Sequence, residues 1–237
     1  MTWSIVALDR ATGQLGVAVA SRFFAVGALC PAVRAGKGAL CTQALVNPLY
    51  ARDGLALFDQ GLDAQAVVSR LTAGDAGREV RQLHAIDARG ESAQHTGREC
   101  VPWCGHRSGD GYSMAGNMLS GPQVLEETER AYAANAALPF AERLMSAMEA
   151  GERAGGDKRG RQSAAILIHG SEDYPLLSMR VDDHADPLPE LRRIHAASFE
   201  RFQAFMTCLP TRADPTGITD RAQIDARIEN FHRRIPS

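Results

Sequence analysis

Two apolar runs open the chain. Trp3 to Leu8 and Leu15 to Ala20 consist almost wholly of apolar and β-branched residues, and a polar segment from Asp9 to Gln14 containing a Thr-Gly pair separates them. This pattern predicts an antiparallel hairpin. Setting Leu8 opposite Leu15 puts Thr2 opposite Ser21 and Met1 opposite Arg22, a register that a slip of one residue would change.

Further along, Leu29 to Arg34 and Gly38 to Gln43 read as two short strands around Gly36-Lys37-Gly38. The period then changes from two to about 3.6: Pro48 to Gln60 and Asp63 to Ala73 predict two helices joined at Gly61, with Asp63 as an N-cap. Gln82 to Asp87 and Ser92 to Thr96 flank Ala88-Arg89-Gly90 as a second hairpin. A glycine-rich stretch from Gly105 to Gly121 encloses the apolar segment Tyr112 to Leu119, and helices are expected over Val124 to Ala134 and Pro139 to Ala150. Gln162 to His169 and Leu176 to Val181 complete the strands. Beyond Asp186-Pro187 the chain turns charged and helical over Leu188 to Met206 and Thr219 to Ile235.

Strands, helix pair, strands, helix pair, strands is not the alternation of a parallel βαβ protein. It predicts an α+β domain over residues 1–185, with two stacked antiparallel sheets each covered by a helix pair, and a helical extension over 186–237. The extension is expected to pack on the core or to join protomers, and a homodimer through the helical regions is the expectation.

Composition narrows the function classes. The 237 residues are 45% apolar and 23% charged with a net charge of −2, an ordinary globular balance with no basic footprint for nucleic acid. The chain start shows no signal-peptide pattern and no apolar run could span a bilayer, so a cytoplasmic protein without membrane contact is expected. Five scattered cysteines fit a reducing compartment, and Cys100-Val-Pro-Trp-Cys104-Gly-His106 lacks a second ligand pair at zinc spacing, so no metal or other cofactor is expected.

Four clusters carry candidate chemistry: Thr2, Ser21-Arg22, Gly116-Asn117-Met118-Leu119, and the polar loop Asp157-Lys158-Arg159-Gly160-Arg161-Gln162-Ser163. If Met1 were removed, Thr2 would carry a hydroxyl nucleophile and its own base, since a free α-amine titrates at roughly 7.7–8.0. With Met1 attached that nitrogen is an amide. Thr2 equally fits as an ordinary strand residue, and Arg22 as either an electrostatic partner for an oxyanion or substrate carboxylate, or a solvated strand end. Asn117 could give an N–H to an oxyanion or hold a left-handed turn. The 157–163 loop is either substrate-binding or simply solvated.

The segments Thr-Trp-Ser-Ile-Val-Ala, Gly-Val-Ala-Val-Ala-Ser-Arg-Phe-Phe-Ala-Val-Gly, Thr42-Gln43-Ala, Cys-Val-Pro-Trp-Cys-Gly-His-Arg-Ser-Gly-Asp-Gly-Tyr, Ala-Gly-Asn-Met-Leu, Gly-Gly-Asp-Lys-Arg-Gly-Arg-Gln-Ser-Ala and Arg180-Val-Asp-Asp-His184 occur in this order. Over roughly residues 2–195 the chain resembles the bacterial domain-of-unknown-function family 1028. The resemblance implies placement with the N-terminal-nucleophile (Ntn) hydrolases, whose fold is a four-layer αββα sandwich. It also hints at cell-wall amide substrates, because some relatives are joined to a peptidoglycan-binding domain. A wider comparison with proteasome-like threonine hydrolases implies Thr2 as nucleophile, Ser21-Arg22 where an acidic residue is usual, and Lys37 as a loosely placed partner lysine. Gly116-Asn117-Met118 is similar to the Gly-Asn-Leu oxyanion motif of glutamine-using relatives.

The leading expectation is therefore an Ntn-type amidohydrolase. Thr2 and Asn117 would be catalytic. Ser21, Arg22, Asp157, Arg159, Arg161, Gln162 and Ser163 would bind a small or short-peptide substrate bearing a carboxylate, such as an N-acyl compound. The rival is a non-catalytic binder of a metabolite or peptide fragment on the same scaffold, and a third reading is a structural oligomer.

Overall fold

The computed structural model describes residues 2–234. Met1, with its expected pairing to Arg22, and the expected helix end at Ile235 lie outside the described residues. The fold is α+β, with two antiparallel sheets and seven α-helices among the described residues.

The larger sheet has six strands in the order β10-β9-β2-β1-β8-β7: β1 is Thr2–Asp9, β2 Gln14–Ser21, β7 Gly105–Gly109, β8 Tyr112–Asn117, β9 Ser163–His169 and β10 Pro175–Val181. Its hairpin has the expected register, Leu8 opposite Leu15 and Thr2 opposite Ser21. The turn is held by Asp9, whose carbonyl accepts from Gly13 N at 2.8 Å, while Gly13 supplies the positive φ of 72° that closes it. The smaller sheet runs β3-β4-β5-β6, with β3 Pro31–Arg34, β4 Gly38–Ala44, β5 Arg81–Asp87 and β6 Ser92–Thr96.

Two helices pack on the smaller sheet, α1 (Leu49–Asp59) and α2 (Ala64–Ala73). Leu57, Phe58, Val67, Val68 and Leu71 form one apolar cluster with Leu40, Leu83, Ala85 and Ala93 of its strands. Asp63 caps α2 as expected, its carboxylate accepting from Ala66 N at 2.8 Å. Against the larger sheet lie α3 (Gln123–Ala134) and α4 (Phe140–Arg153). A Cβ at Gly16 would sit 2.7 Å from the Phe140 ring, so glycine there permits the close approach of α4 to β2.

One strand was not foreseen and one expectation needs correcting. Within the glycine-rich stretch after Cys104, Gly105–Gly109 forms the edge strand β7, paired with β8. Its exposed polar residues give no apolar alternation to read. The single helix expected over 188–206 is two, α5 (Pro187–Ser198) and α6 (Phe202–Met206), followed by α7 (Arg221–Arg234). By contacts the chain divides into a unit over Met1–Leu191 and another over Arg192–Ser237. No helix among the described residues is long and apolar enough to cross a membrane.

Candidate active site

Thr2 stands where three strands end together. It pairs with Ser21 on one side and with Asn117 on the other, so strand register alone unites three residues drawn from positions 2, 21 and 117. Ser21 in turn pairs with Ser163 of β9. Thr2 Oγ1 donates to Ser21 Oγ at 3.1 Å, and both residues are buried.

The next step in the chain, the 22–26 loop, is tied down at several points. Arg22 N donates to Asp157 Oδ2 at 2.8 Å, Ala25 N to Asp182 O at 2.9 Å, and Val26 N to Ser163 Oγ at 3.1 Å. Ser163 Oγ donates onward to Phe23 O at 2.5 Å. Asp157 also accepts from Arg159 N at 2.8 Å and from the Arg159 guanidinium at 3.3 Å, with its side chain 1% exposed. Asp157 and Ser163 thus hold backbone, and what they orient is Arg22. The Arg22 guanidinium is exposed and meets Gln162 Oε1 at 2.8 Å. One of its five N–H donors goes to that contact, which leaves others to face solvent. Arg161 points elsewhere: it bridges Glu152 at 2.7 Å and Asp186. Lys37 sits in the β3–β4 turn, at the end of β4 remote from Gln43, and is not beside Thr2. Asn117 lies beside Thr2, but the left-handed residue is its neighbour Met118, φ 53°.

Below Thr2, between the sheets, is a buried polar column that the reading of the sequence did not anticipate. Its hydrogen-bond directions follow from one fixed end. The carbonyls of Gly116 and Gly105 can only accept, so Gln82 turns Nε2 to them at 2.9 and 3.0 Å. Gln82 Oε1 must then accept, and takes Gln43 Nε2 at 2.7 Å and Asn117 Nδ2 at 3.1 Å. Both amides also reach Thr2 O, each at 3.4 Å. Gln43 Oε1 accepts from Ser4 Oγ at 2.7 Å, which forces His84 Nε2 to be the donor in its 2.8 Å contact with Ser4. His84 Nδ1 then accepts from Ser113 Oγ at 3.2 Å, and Ser113 receives Gln94 Nε2 at 3.0 Å. Complete burial pushes the His84 pKa down to about 3, with the nearby His106 acting in the same direction, so the ring is neutral as this chain of donors requires. The signal that could have found these residues is positional: Gln43, Gln82 and His84 interrupt strands at sites whose alternation points to the inter-sheet core.

Asn117 therefore spends both amide hydrogens, on Thr2 O and Gln82 Oε1. A separate groove of about 510 Å³ lies along α1 and α2, lined in part by Asn47, Tyr50, Asp53, Arg70 and Asp75. It shares no residue with the Thr2 cluster. Asp75 there is saturated by Tyr50 Oη, Arg81 Nε and Gly77 N, which hold its carboxyl well below the usual range and mark it as structural.

With this geometry in hand, comparison with known proteins identifies the family. Residues 2–191 match the model described as "Family of unknown function (DUF1028)". The chain belongs to DUF1028. A crystal structure of a DUF1028 protein from Silicibacter pomeroyi superposes with a TM-score of 0.85 at 30% identity, covering 93% of this chain and 96% of that one. Anbu, the ancestral beta-subunit from Yersinia bercovieri, aligns over 83% of this chain and 94% of its own at 11% identity, with a TM-score of 0.43. No curated protein matches. The DUF1028 match spans the Thr2, Arg22, Asn117 and 157–163 clusters alike.

Proposed function

We propose that this DUF1028 protein is an N-terminal-nucleophile amidohydrolase acting on a small, carboxylate-bearing amide, on a four-layer αββα scaffold. The observation that carries the reading is the convergence at Thr2. A hydroxyl residue that loss of Met1 would make N-terminal is gripped at its carbonyl and hydrogen-bonded through Oγ1 to Ser21, and the residue after Ser21 is the anchored Arg22. The helix pairs packed on each sheet support the layering.

In this reading removal of Met1 frees the Thr2 α-amine. The amine takes the proton from Oγ1 as Oγ1 bonds to the substrate amide carbon. The proton passes to the departing amine, and water then releases the acyl group from Thr2. With both Asn117 amide hydrogens committed, the oxyanion falls to a backbone N–H at the strand ends. Arg22 gives the substrate carboxylate a planar, two-pronged partner, and Gln162 steadies the guanidinium.

The rival, a non-catalytic binder, is favoured by one observation: Thr2, Ser21 and Asn117 are all buried. A single experiment separates the two. Intact mass establishes loss of Met1, and periodate, which cleaves the free 1-amino-2-alcohol of an N-terminal serine or threonine, confirms that the amine of Thr2 is unblocked. The processed protein is then offered a panel of N-acyl amino acids and short amides. Turnover that Thr2→Ala abolishes supports the hydrolase; binding without turnover in both forms leaves the binder.

A further inference from the structure

We propose that Gln82 is a positioning residue for Thr2, acting from the opposite sheet through the side-chain amides of Gln43 and Asn117. The inference rests on the reading of Thr2 as nucleophile. Gln82 is fully buried and has no contact of its own with Thr2 among its hydrogen bonds. It touches both groups that do. Its Oε1 is the shared acceptor of Gln43 Nε2 and Asn117 Nδ2, and those nitrogens are the two side-chain donors on Thr2 O.

The distances assign the roles. The bonds to Gln82 are 2.7 and 3.1 Å, within the range of good N–H···O geometry, whereas both bonds to Thr2 O are 3.4 Å and weak. Two long bonds place an atom only if their donors are themselves immobile. Gln82 immobilises them, and is immobilised in turn by Gly105 O, Gly116 O and Thr96 Oγ1 at 2.9–3.0 Å. A flipped Gln82 amide would set N–H against N–H and oxygen against carbonyl oxygen, so one orientation survives.

An N-terminal nucleophile needs such a device. Chain ends fray unless tied down, and a residue whose nitrogen must stay free for proton transfer can be held only from its side chain and its carbonyl. The clamp holds the carbonyl, which sets the Thr2 backbone torsion and with it the place of the amine relative to the approaching acyl carbon.

The test uses p-nitrophenyl acetate on the Met1-free protein. Thr2 Oγ1 bonds to the acetyl carbon, p-nitrophenolate leaves, and the hydroxyl proton goes to the α-amine; the adduct on Thr2 is read by mass. Gln82→Met, matched in length, should lower the acylation rate about 100-fold, the scale of a misplacement near 1 Å, with the ester's KM little changed. Gln82→Glu supplies the sharper readout and guards against a variant that fails to fold. The introduced carboxyl keeps the shape, and burial raises its pKa. When protonated it can donate its one O–H to a glycine carbonyl and accept from the amides; when ionised it cannot donate. The variant's rate relative to wild type should therefore fall as pH rises, opposite to the rise expected as the α-amine loses its proton. Ionisable side chains tied to the same network are His84, two residues along β5; His106, whose Nδ1 lies 3.1 Å from Thr96 Oγ1; and Cys41, whose Sγ lies 3.7 Å from Gln43 Oε1. Introducing His106→Asn into both proteins removes the His106 contact. Wild-type acylation in folded Gln82→Met, or a relative rate for Gln82→Glu that is flat with pH, overturns the role of Gln82 while leaving the hydrolase intact. No Thr2 adduct in wild type above the Thr2→Ala background overturns both.

Discussion

The space between the two sheets has two ends of opposite character. Along β1 the inward side chains read Thr2, Ser4, Val6, Leu8; along β2, from the same end, Ser21, Val19, Val17, Leu15; along β5, Gln82, His84, Ile86; along β4, Gln43, Cys41, Ala39. One end is a directed hydrogen-bond column. The other is a single apolar cluster. The apolar end gains by area and is indifferent to direction, so any side chains of suitable volume serve. The polar end gains little net energy per bond, but each member fixes the donor and acceptor sense of the next. Stability resides mainly in the first, geometry in the second, and the residue singled out for chemistry stands at the head of the second.

The most severe break in that contrast is Thr2→Ala. Turnover should fall by at least about 10³-fold, as for loss of a nucleophile, while stability changes by about 1 kcal/mol for the lost bond to Ser21. A steady-state assay beside a thermal melt checks the split. Comparable losses of both would place Thr2 with the apolar end, as a structural residue.

Acid separates the two ends next. His84 is held neutral in the fold, its pKa pushed down by burial to about 3, against about 6.5 unfolded. Between those values the unfolded chain binds the extra proton, so its contribution to stability falls as pH falls, by about 1.4 kcal/mol per pH unit at most, and levels off below about 3. Above pH 6.5 it is fully present. Urea midpoints from pH 7 to pH 4 should show this slope, and His84→Gln should flatten it. An unchanged slope would mean that groups other than His84 govern the loss of stability over this range.

How much of this was legible beforehand divides along the same line. Apolar periodicity and turn residues revealed the β1–β2 hairpin with its register, the β5–β6 hairpin and the helix pairs, because burial demands alternation and alternation is visible in one dimension. Thr2, Ser21, Arg22 and Asn117 stood out by chain position or turn context. Gln43, Gln82 and His84 did not. A buried glutamine is indistinguishable from an exposed one until the opposing sheet supplies its partners, and those partners lie 39 residues apart for Gln43 and Gln82, and 35 for Gln82 and Asn117. The same holds for Asp157 and Ser163: their loop reads as substrate-facing, but its work on the 22–26 backbone depends on contacts across 135–140 residues of chain.

Ser4→Ala removes one oxygen from the column. Gln43 Oε1 loses its 2.7 Å donor and His84 Nε2 its acceptor, each in a site that water does not reach. The cost should be about 1–3 kcal/mol of stability, because the partners keep the full desolvation penalty. If Gln43 reorients to satisfy itself, the 3.4 Å contact on Thr2 O changes too, so acylation should slow along with the melt. Restoration of both by Ser4→Thr, which returns the hydroxyl, is the control.

The smallest expected effect is the most discriminating. Ile86 lies two residues beyond His84 on β5, is fully buried, and belongs to the apolar cluster with Val6, Val17 and Val19. Ile86→Val deletes one methylene and opens a small void, a cost of about 0.5–1.5 kcal/mol. No donor or acceptor changes hands, and the backbone of β5 has no reason to move, so the Thr2 acylation rate should match wild type. Ser4→Ala also deletes a single heavy atom, from the neighbouring end of the same interface. The two variants are thus nearly equal in atoms removed and differ in what those atoms did: a methylene leaves van der Waals contacts slightly looser, whereas a hydroxyl reverses or abandons two directed bonds. A thermal melt and an acylation assay on the pair give four numbers. The zoning holds if the stability losses overlap while the rates diverge; it fails if Ile86→Val slows acylation as much as Ser4→Ala does, for then the apolar packing transmits geometry as strictly as the hydrogen bonds.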